Sequence, residues 1–108
     1  MSRTLIVARM AEADSEKVAA LFADSDAGSL PHRVGVRART LFRYHGLYFH
    51  LIESDHDVDH RIESVRGDRD FRELSAALDP YIRPYDPDTW RSPADAMATV
   101  FYQWRRDD

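Results

Sequence analysis

Cysteine is absent from the 108-residue chain, which removes disulfides and thiolate metal sites from consideration. Glycine is sparse at four residues, and none of them builds a phosphate-cradling loop, a nucleophile elbow or a dinucleotide fingerprint. No apolar run approaches the roughly 20 residues of a membrane-spanning helix. Near the N-terminus, Leu5-Ile6-Val7-Ala8 is broken at once by Arg9, too short for the core of a secretion signal. The expected location is the cytoplasm. Lysine is almost missing, with Lys17 alone among 15 basic residues, a bias of genome composition and not of chemistry. Excess positive charge is missing as well. A net charge of −4 argues against nucleic acid or an anionic membrane as partner.

What remains is an ordinary globular composition, 44% hydrophobic and 31% charged, which fits one domain spanning residues 1–108. A chain this long buries roughly two-thirds of its unfolded surface. It has little core to spare for enclosing a large ligand, unless a partner subunit covers what it leaves open.

A first strand is expected over Thr4 to Arg9, rich in β-branched and aliphatic residues. Asp14 is placed to cap a helix whose apolar face holds Val18, Leu21 and Phe22. The stretch Ser25 to Pro31 reads as a loop that ends it. From Val36 to Glu53 the period is two. Val36, Ala38, Thr40, Phe42 and Tyr44 alternate with Arg37, Arg39, Leu41 and Arg43; then Leu47, Phe49 and Leu51 alternate with Tyr48, His50 and Ile52. His45-Gly46 between them is a two-residue turn, so this is a β-hairpin. A helical stretch follows in two pieces. Val58, Ile62 and Val65 share a face after Asp57, and Phe71, Leu74 and Leu78 share one after Gly67. Asp79-Pro80 ends it. Tyr81 to Pro93 reads as irregular, and Ala98, Val100, Tyr102 and Trp104 alternate as a last strand.

The order β-α-β-β-α-β predicts an α+β, ferredoxin-like subunit with an antiparallel sheet. One hairpin face, from Val36 through Tyr44 and Leu47 to Leu51, is almost purely apolar and demands cover. The other mixes Arg37, Arg39, Arg43, Tyr48 and His50 with Leu41 and Ile52. Two faces that both need cover predict a homodimer joined sheet on sheet. The mixed face would then look toward the helices and a pocket.

Hairpin register carries the chemistry. With His45-Gly46 as the loop, Leu41 pairs His50 and Arg39 pairs Ile52, so Arg39 and His50 are diagonal neighbours on one face. An arginine keeps a neighbouring histidine neutral, hence available as a base, and itself stabilises a developing enolate oxygen. A strand histidine packed beside a surface arginine has the same spacing. Asp26 is a candidate to orient a base or a substrate hydroxyl, though from sequence alone a loop aspartate serving backbone donors is the commoner case. Ser25 and Arg37 are further candidates for substrate contact, and Tyr48 and Trp90 for stacking on a flat ligand, as are Tyr44 and Trp104; packing explains any one of these aromatics too. His56 and His60 have helical metal spacing but no third ligand at a telling distance, so no metal site is expected.

The words Leu5-Ile6-Val7-Ala8-Arg9-Met10, Leu30-Pro31-His32-Arg33-Val34-Gly35-Val36-Arg37-Ala38-Arg39 and Leu41-Phe42-Arg43-Tyr44-His45-Gly46-Leu47-Tyr48-Phe49-His50-Leu51 resemble the polyketide synthesis cyclase family of tetracenomycin type. Tyr85 to Thr99, followed by Phe101-Tyr102-Gln103-Trp104, looks like its spore-pigment branch. The resemblance covers nearly the whole chain. It implies a cytoplasmic homodimer folded as a dimeric α+β barrel and using no metal or organic cofactor, which closes later rings of aromatic polyketides from type II synthases. It implies site residues at Asp26, Arg39 and His50. Where tetracenomycin-type members carry a histidine, this chain has Ser25. The expected activity is aldol-type ring closure and dehydration of an aromatic polyketide intermediate, with transient contact with synthase components. Two alternatives stand beside it. One is a cofactor-free monooxygenase of the same fold that makes a quinone. The other is a non-catalytic, chaperone-like synthase subunit.

Overall fold

The computed structural model describes residues 2–55, 67–91 and 93–106. Among the described residues, four strands and three α-helices are ordered as β1 (Ser2–Met10), α1 (Ser15–Asp26), α2 (Leu30–Val34), β2 (Val36–Tyr44), β3 (Leu47–Ser54), α3 (Arg69–Leu78) and β4 (Ile82–Pro84). The sheet order is β2-β3-β1-β4 and every pairing is antiparallel. This is the ferredoxin-like arrangement expected from the sequence. Among the described residues, no helix is long and apolar enough to cross a membrane.

The hairpin has the expected register, with Tyr44 opposite Leu47, Phe42 opposite Phe49, and Leu41 opposite His50. His45 and Gly46 both take positive φ, +46° and +79°, the turn whose twist matches that of the strands. One irregularity changes the expected faces. A bulge between Val36 and Ala38 leaves Arg37 without an opposite residue and puts Val36 across from Ser54. Val36 thus joins the helix-facing side and packs beside Leu30, Val34 and Ile52, while strict alternation had put it on the outer face.

The mixed face of the hairpin does turn inward. Tyr48, His50, Ile52 and Ser54 are buried, and the residues between them are half-buried. Two apolar clusters lie under the helices. Ala8, Met10, Val18, Phe22 and Tyr48 form one; Leu30, Val34 and Ile52 form the other. The apolar stripe of α3, Phe71, Leu74 and Leu78, leans on both, yet no residue of this helix is fully buried. The helix stands off the sheet and leaves space beneath it. Asp68 caps it, its side chain accepting the backbone N–H groups of Asp70 and Phe71 at 2.9 and 3.3 Å. Arg33 of α2 reaches across to Asp68 and Asp70 and ties the two helices together.

Four expectations need correction. The last strand is Ile82–Pro84, within the stretch read as irregular. Three residues are too few to display alternation, and they become a strand only because β1 offers a free edge at Ala8 to Met10. Ala98 to Trp104 is not a strand: past the contact of Ala98 N–H with the Leu5 carbonyl at 2.8 Å it runs unpaired. Asp14 does precede α1, but its side chain caps nothing; a short 3-10 turn at Glu12–Asp14 leads in, and Ser15 donates its hydroxyl to the Glu12 carbonyl. Ser25 to Pro31 is not all loop, because α1 continues to Asp26 and α2 begins at Leu30. The expected helical piece at Val58, Ile62 and Val65, its cap Asp57, and the pair His56 and His60 lie outside the described residues.

Gly35 ends α2 in the left-handed region at φ +87°, and a Cβ there would meet nothing within 4 Å. The demand is conformational and not steric. Gly35→Ala should therefore lower stability by about 1 kcal/mol, and Gly35→Asn by less, in urea unfolding.

Candidate active site

Asp26, Arg39 and His50 come from three different elements, and the structure brings them together. Asp26 sits on the last turn of α1, Arg39 on β2 and His50 on β3. Arg39 offers a planar fork. Its Nε donates to one Asp26 carboxylate oxygen at 3.1 Å and its Nη2 to the other at 2.9 Å. That bidentate pairing fixes the guanidinium plane. The third nitrogen, Nη1, lies 2.8 Å from Nε2 of His50. Arginine can only donate, so Nε2 accepts and the neutral ring carries its proton on Nδ1. Phe22 backs the pair. The Arg39 guanidinium lies 4.7 Å from the Phe22 ring centre, and the His50 ring meets Phe22 edge-on at 5.0 Å.

His50 is only 6% exposed. Burial, with the Arg39 charge adding to it, lowers its pKa from 6.5 to about 3. It is therefore neutral throughout the physiological range. Burial also pushes the Tyr48 phenol up, against the opposing charge of Arg39, so Tyr48 stays a neutral hydroxyl.

Beside α3 lies a cavity of about 560 Å³, and an apolar recess of about 160 Å³ shares part of its wall. Ile6, Phe22, His50 and Phe71 line both, and Arg39 lines the recess. Tyr48 and Trp90 line the larger part. Trp90 is held at the rim by the segment around it. Asp86 accepts the Asp88 N–H in its side chain and the Thr89 N–H in its carbonyl, and Asp95 accepts the Arg91 N–H at 2.8 Å. Arg9 anchors the same segment by stacking on Tyr85 and donating to its carbonyl.

Two expected contacts go elsewhere. Arg37, the bulged residue, points outward and pairs with Asp55 at 2.9 Å, away from the cavity. Ser25 lines a separate groove between α1 and α3 with Asp24, Ser29 and Asp70. On a helix, neighbours lie about 100° apart, so Ser25 and Asp26 cannot face the same way. Tyr44 and Trp104 are exposed and do not line the cavity. Sequence reasoning missed Ser75 and Arg72 of α3 and Arg91, which line the larger cavity. The i, i+3 spacing of Arg72 and Ser75 was visible, but not which way α3 would face.

A basic fork and a neutral histidine at the foot of an apolar cavity suit proton transfer on a carbonyl compound. The profile of the polyketide synthesis cyclase family matches residues 2–105. The chain belongs to this family. Three relatives from Streptomyces align over almost all of it. An uncharacterized protein of Streptomyces coelicolor is 52% identical, covering 98% of this chain and 96% of its own. Polyketide synthase CurG of Streptomyces cyaneus is 47% identical, covering 99% and 100%. Tetracenomycin F2 cyclase of Streptomyces glaucescens is 45% identical, covering 98% and 96%. A solved structure of that last enzyme, described as a type-II polyketide cyclase, superposes with a TM-score of 0.92 at 44% identity, over 98% of this chain and 99% of the other. Membership makes this cyclase an enzyme of aromatic polyketide biosynthesis.

The depressed pKa of His50 has a measurable consequence in the cyclase. Unfolded, His50 takes a proton below pH 6.5; folded, it refuses one until about pH 3. Stability is thus lost as pH falls through that window, at about 1.4 kcal/mol per unit. Relative to His50→Gln, the wild type should lose about 3 kcal/mol between pH 7 and pH 4, read from urea midpoints. A constant difference between the two proteins would contradict the neutral, buried His50.

Proposed function

We propose that this cyclase closes a later ring of an aromatic polyketide by an intramolecular aldol reaction followed by loss of water. The observation that carries the reading is the contact between Arg39 and His50 in the cavity wall. A methylene between two carbonyls is acidic, and its proton must leave before carbon can attack a distant carbonyl. The substrate oxygen takes the Arg39 Nη1 donor in place of His50, which frees the Nε2 lone pair for that proton. Asp26 holds the guanidinium plane throughout by its two bonds. In the empty site His50 is a weak base. The enolate that forms beside Arg39 offsets the cation that helps to depress His50, so its basicity rises as the reaction needs it. The protonated ring then returns its proton to the new alkoxide; neutral again, His50 takes the second proton of the same carbon and passes it to the departing hydroxyl, which leaves as water. Folding a flexible chain into one reactive shape between Phe22, Phe71 and Trp90 supplies much of the rest. The chemistry asked of the site is proton transfer and oxyanion stabilisation, which these side chains carry.

Coexpressed with an aromatic polyketide synthase, His50→Ala and Arg39→Met that still fold should each reduce the cyclised product by about 10²-fold or more in favour of shunt products, while Ser25→Ala leaves the profile as it was. An unchanged profile for His50→Ala would mean that another group is the base. Activity should show no break near pH 6.5. Uptake of dioxygen with product would point to a monooxygenase instead.

The homodimer belongs to the same proposal. Behind the cavity, the sheet presents Phe42 and Tyr44 to solvent, and Val100, Phe101, Tyr102 and Trp104 of the unpaired tail are exposed too, Phe101 at 98%. A second copy laid on the outer face of the sheet would cover Phe42 and Tyr44, which lie on the face opposite His50. The protein should sediment at twice 12.5 kDa, and Phe42→Asp with Phe49→Asp, on the outer cross-strand pair, should return it to the monomer.

A further inference from the structure

The interior of the cavity carries almost no net charge, because the guanidinium of Arg39 is matched by Asp26 and His50 is neutral. The rim is different. Arg72 on α3 and Arg91 beside Trp90 both line the larger cavity, opposed by a single carboxylate, Asp79. Both arginines are exposed residues. Arg3, Arg33, Arg37, Arg39, Arg43 and Arg69 each hold a carboxylate. The side chains of Arg72 and Arg91 hold none among the described residues. Arg72 lies one helical turn before Ser75, so guanidinium and hydroxyl share the cavity side of α3. Arg91 gives its backbone N–H to Asp95 at 2.8 Å, a bond that does not occupy its side chain.

We propose that Arg72 and Arg91 bind the carboxylate of a substrate presented as a free polyketide acid, with the apolar rings against Trp90 and the reacting methylene at His50. The proposal rests on the cyclase reading and adds the form in which substrate arrives. Guanidinium pairs suit planar carboxylates, whose two oxygens accept parallel N–H bonds. A thioester has no negative charge to offer them. A carrier-bound chain would instead bring its charge on the phosphate of the phosphopantetheine arm, outside the acyl group.

The test is equilibrium binding, which needs no turnover, with 3-hydroxy-2-naphthoate and its methyl ester as probes followed by fluorescence. The wild type should bind the acid about tenfold more tightly than the ester, and added salt should weaken the acid alone. Arg72→Gln with Arg91→Gln should bring the ratio close to one and leave ester binding as it was, which also shows the cavity intact. His50→Gln should retain the acid preference. Equal affinity of the wild type for both probes overturns the proposal, and so does a preference that survives the double substitution. Displacement of the ester by phosphopantetheine, with no acid preference, overturns it in favour of a carrier-bound substrate. Because His50 takes no part in the discrimination, a failure of the base assignment and a failure of the rim pair give different results.

Discussion

The fork of Arg39 is the interaction on which the site depends. A lone guanidinium this enclosed costs more in lost hydration than it returns. Asp26 offsets that cost with two bonds, and in doing so it fixes the direction of the one nitrogen left over. That nitrogen meets His50, which sets the ring's tautomer and joins burial in keeping the ring neutral. Removing Asp26 would therefore leave a buried charge with no fixed orientation, and the chemistry proposed for His50 would lose its geometry before it lost any reacting group.

The cavity is a consequence of incomplete packing. Among the described residues, the four-stranded sheet is covered by α1, the short α2 and α3, and α3 leans on the core without sinking into it. Phe71, Leu74 and Leu78 are consequently both structural and ligand-facing. The link between Arg33 and the cap of α3 at Asp68 and Asp70 holds the helix at this height from the outside. Apolar surface that a tighter fold would bury is left for the substrate, and burying the reverse of the sheet against a second copy would compensate.

Much of this was legible beforehand. Period two and a His-Gly turn determine the hairpin register, and register determines that Arg39 and His50 share a face. Which face turns inward followed from the cover each would need. The bulge at Arg37 was not legible, because one extra residue leaves composition unchanged while it reverses Val36 and Arg37. The exchange of the final strand was hidden for a related reason. Ala98 to Trp104 has the pattern of a strand and, beyond the Ala98 bond to Leu5, pairs with no strand among the described residues, while Ile82–Pro84 has no pattern and finds the free edge of β1. Pattern reports what a segment favours; pairing depends on what edge is within reach.

Asp26 marks the boundary between the two kinds of knowledge. By itself the sequence determined the fold class, the hairpin, and the meeting of Arg39 with His50, because these follow from local periodicity and a short turn. Only the tertiary structure decided that Asp26, not Ser25, faces Arg39, that Arg37 leaves the site, and that Arg72 and Arg91 stand at its rim. Those outcomes depend on the rotation of α1 and α3 over the sheet. That rotation is set by packing among side chains far apart in the chain, and no local pattern records it.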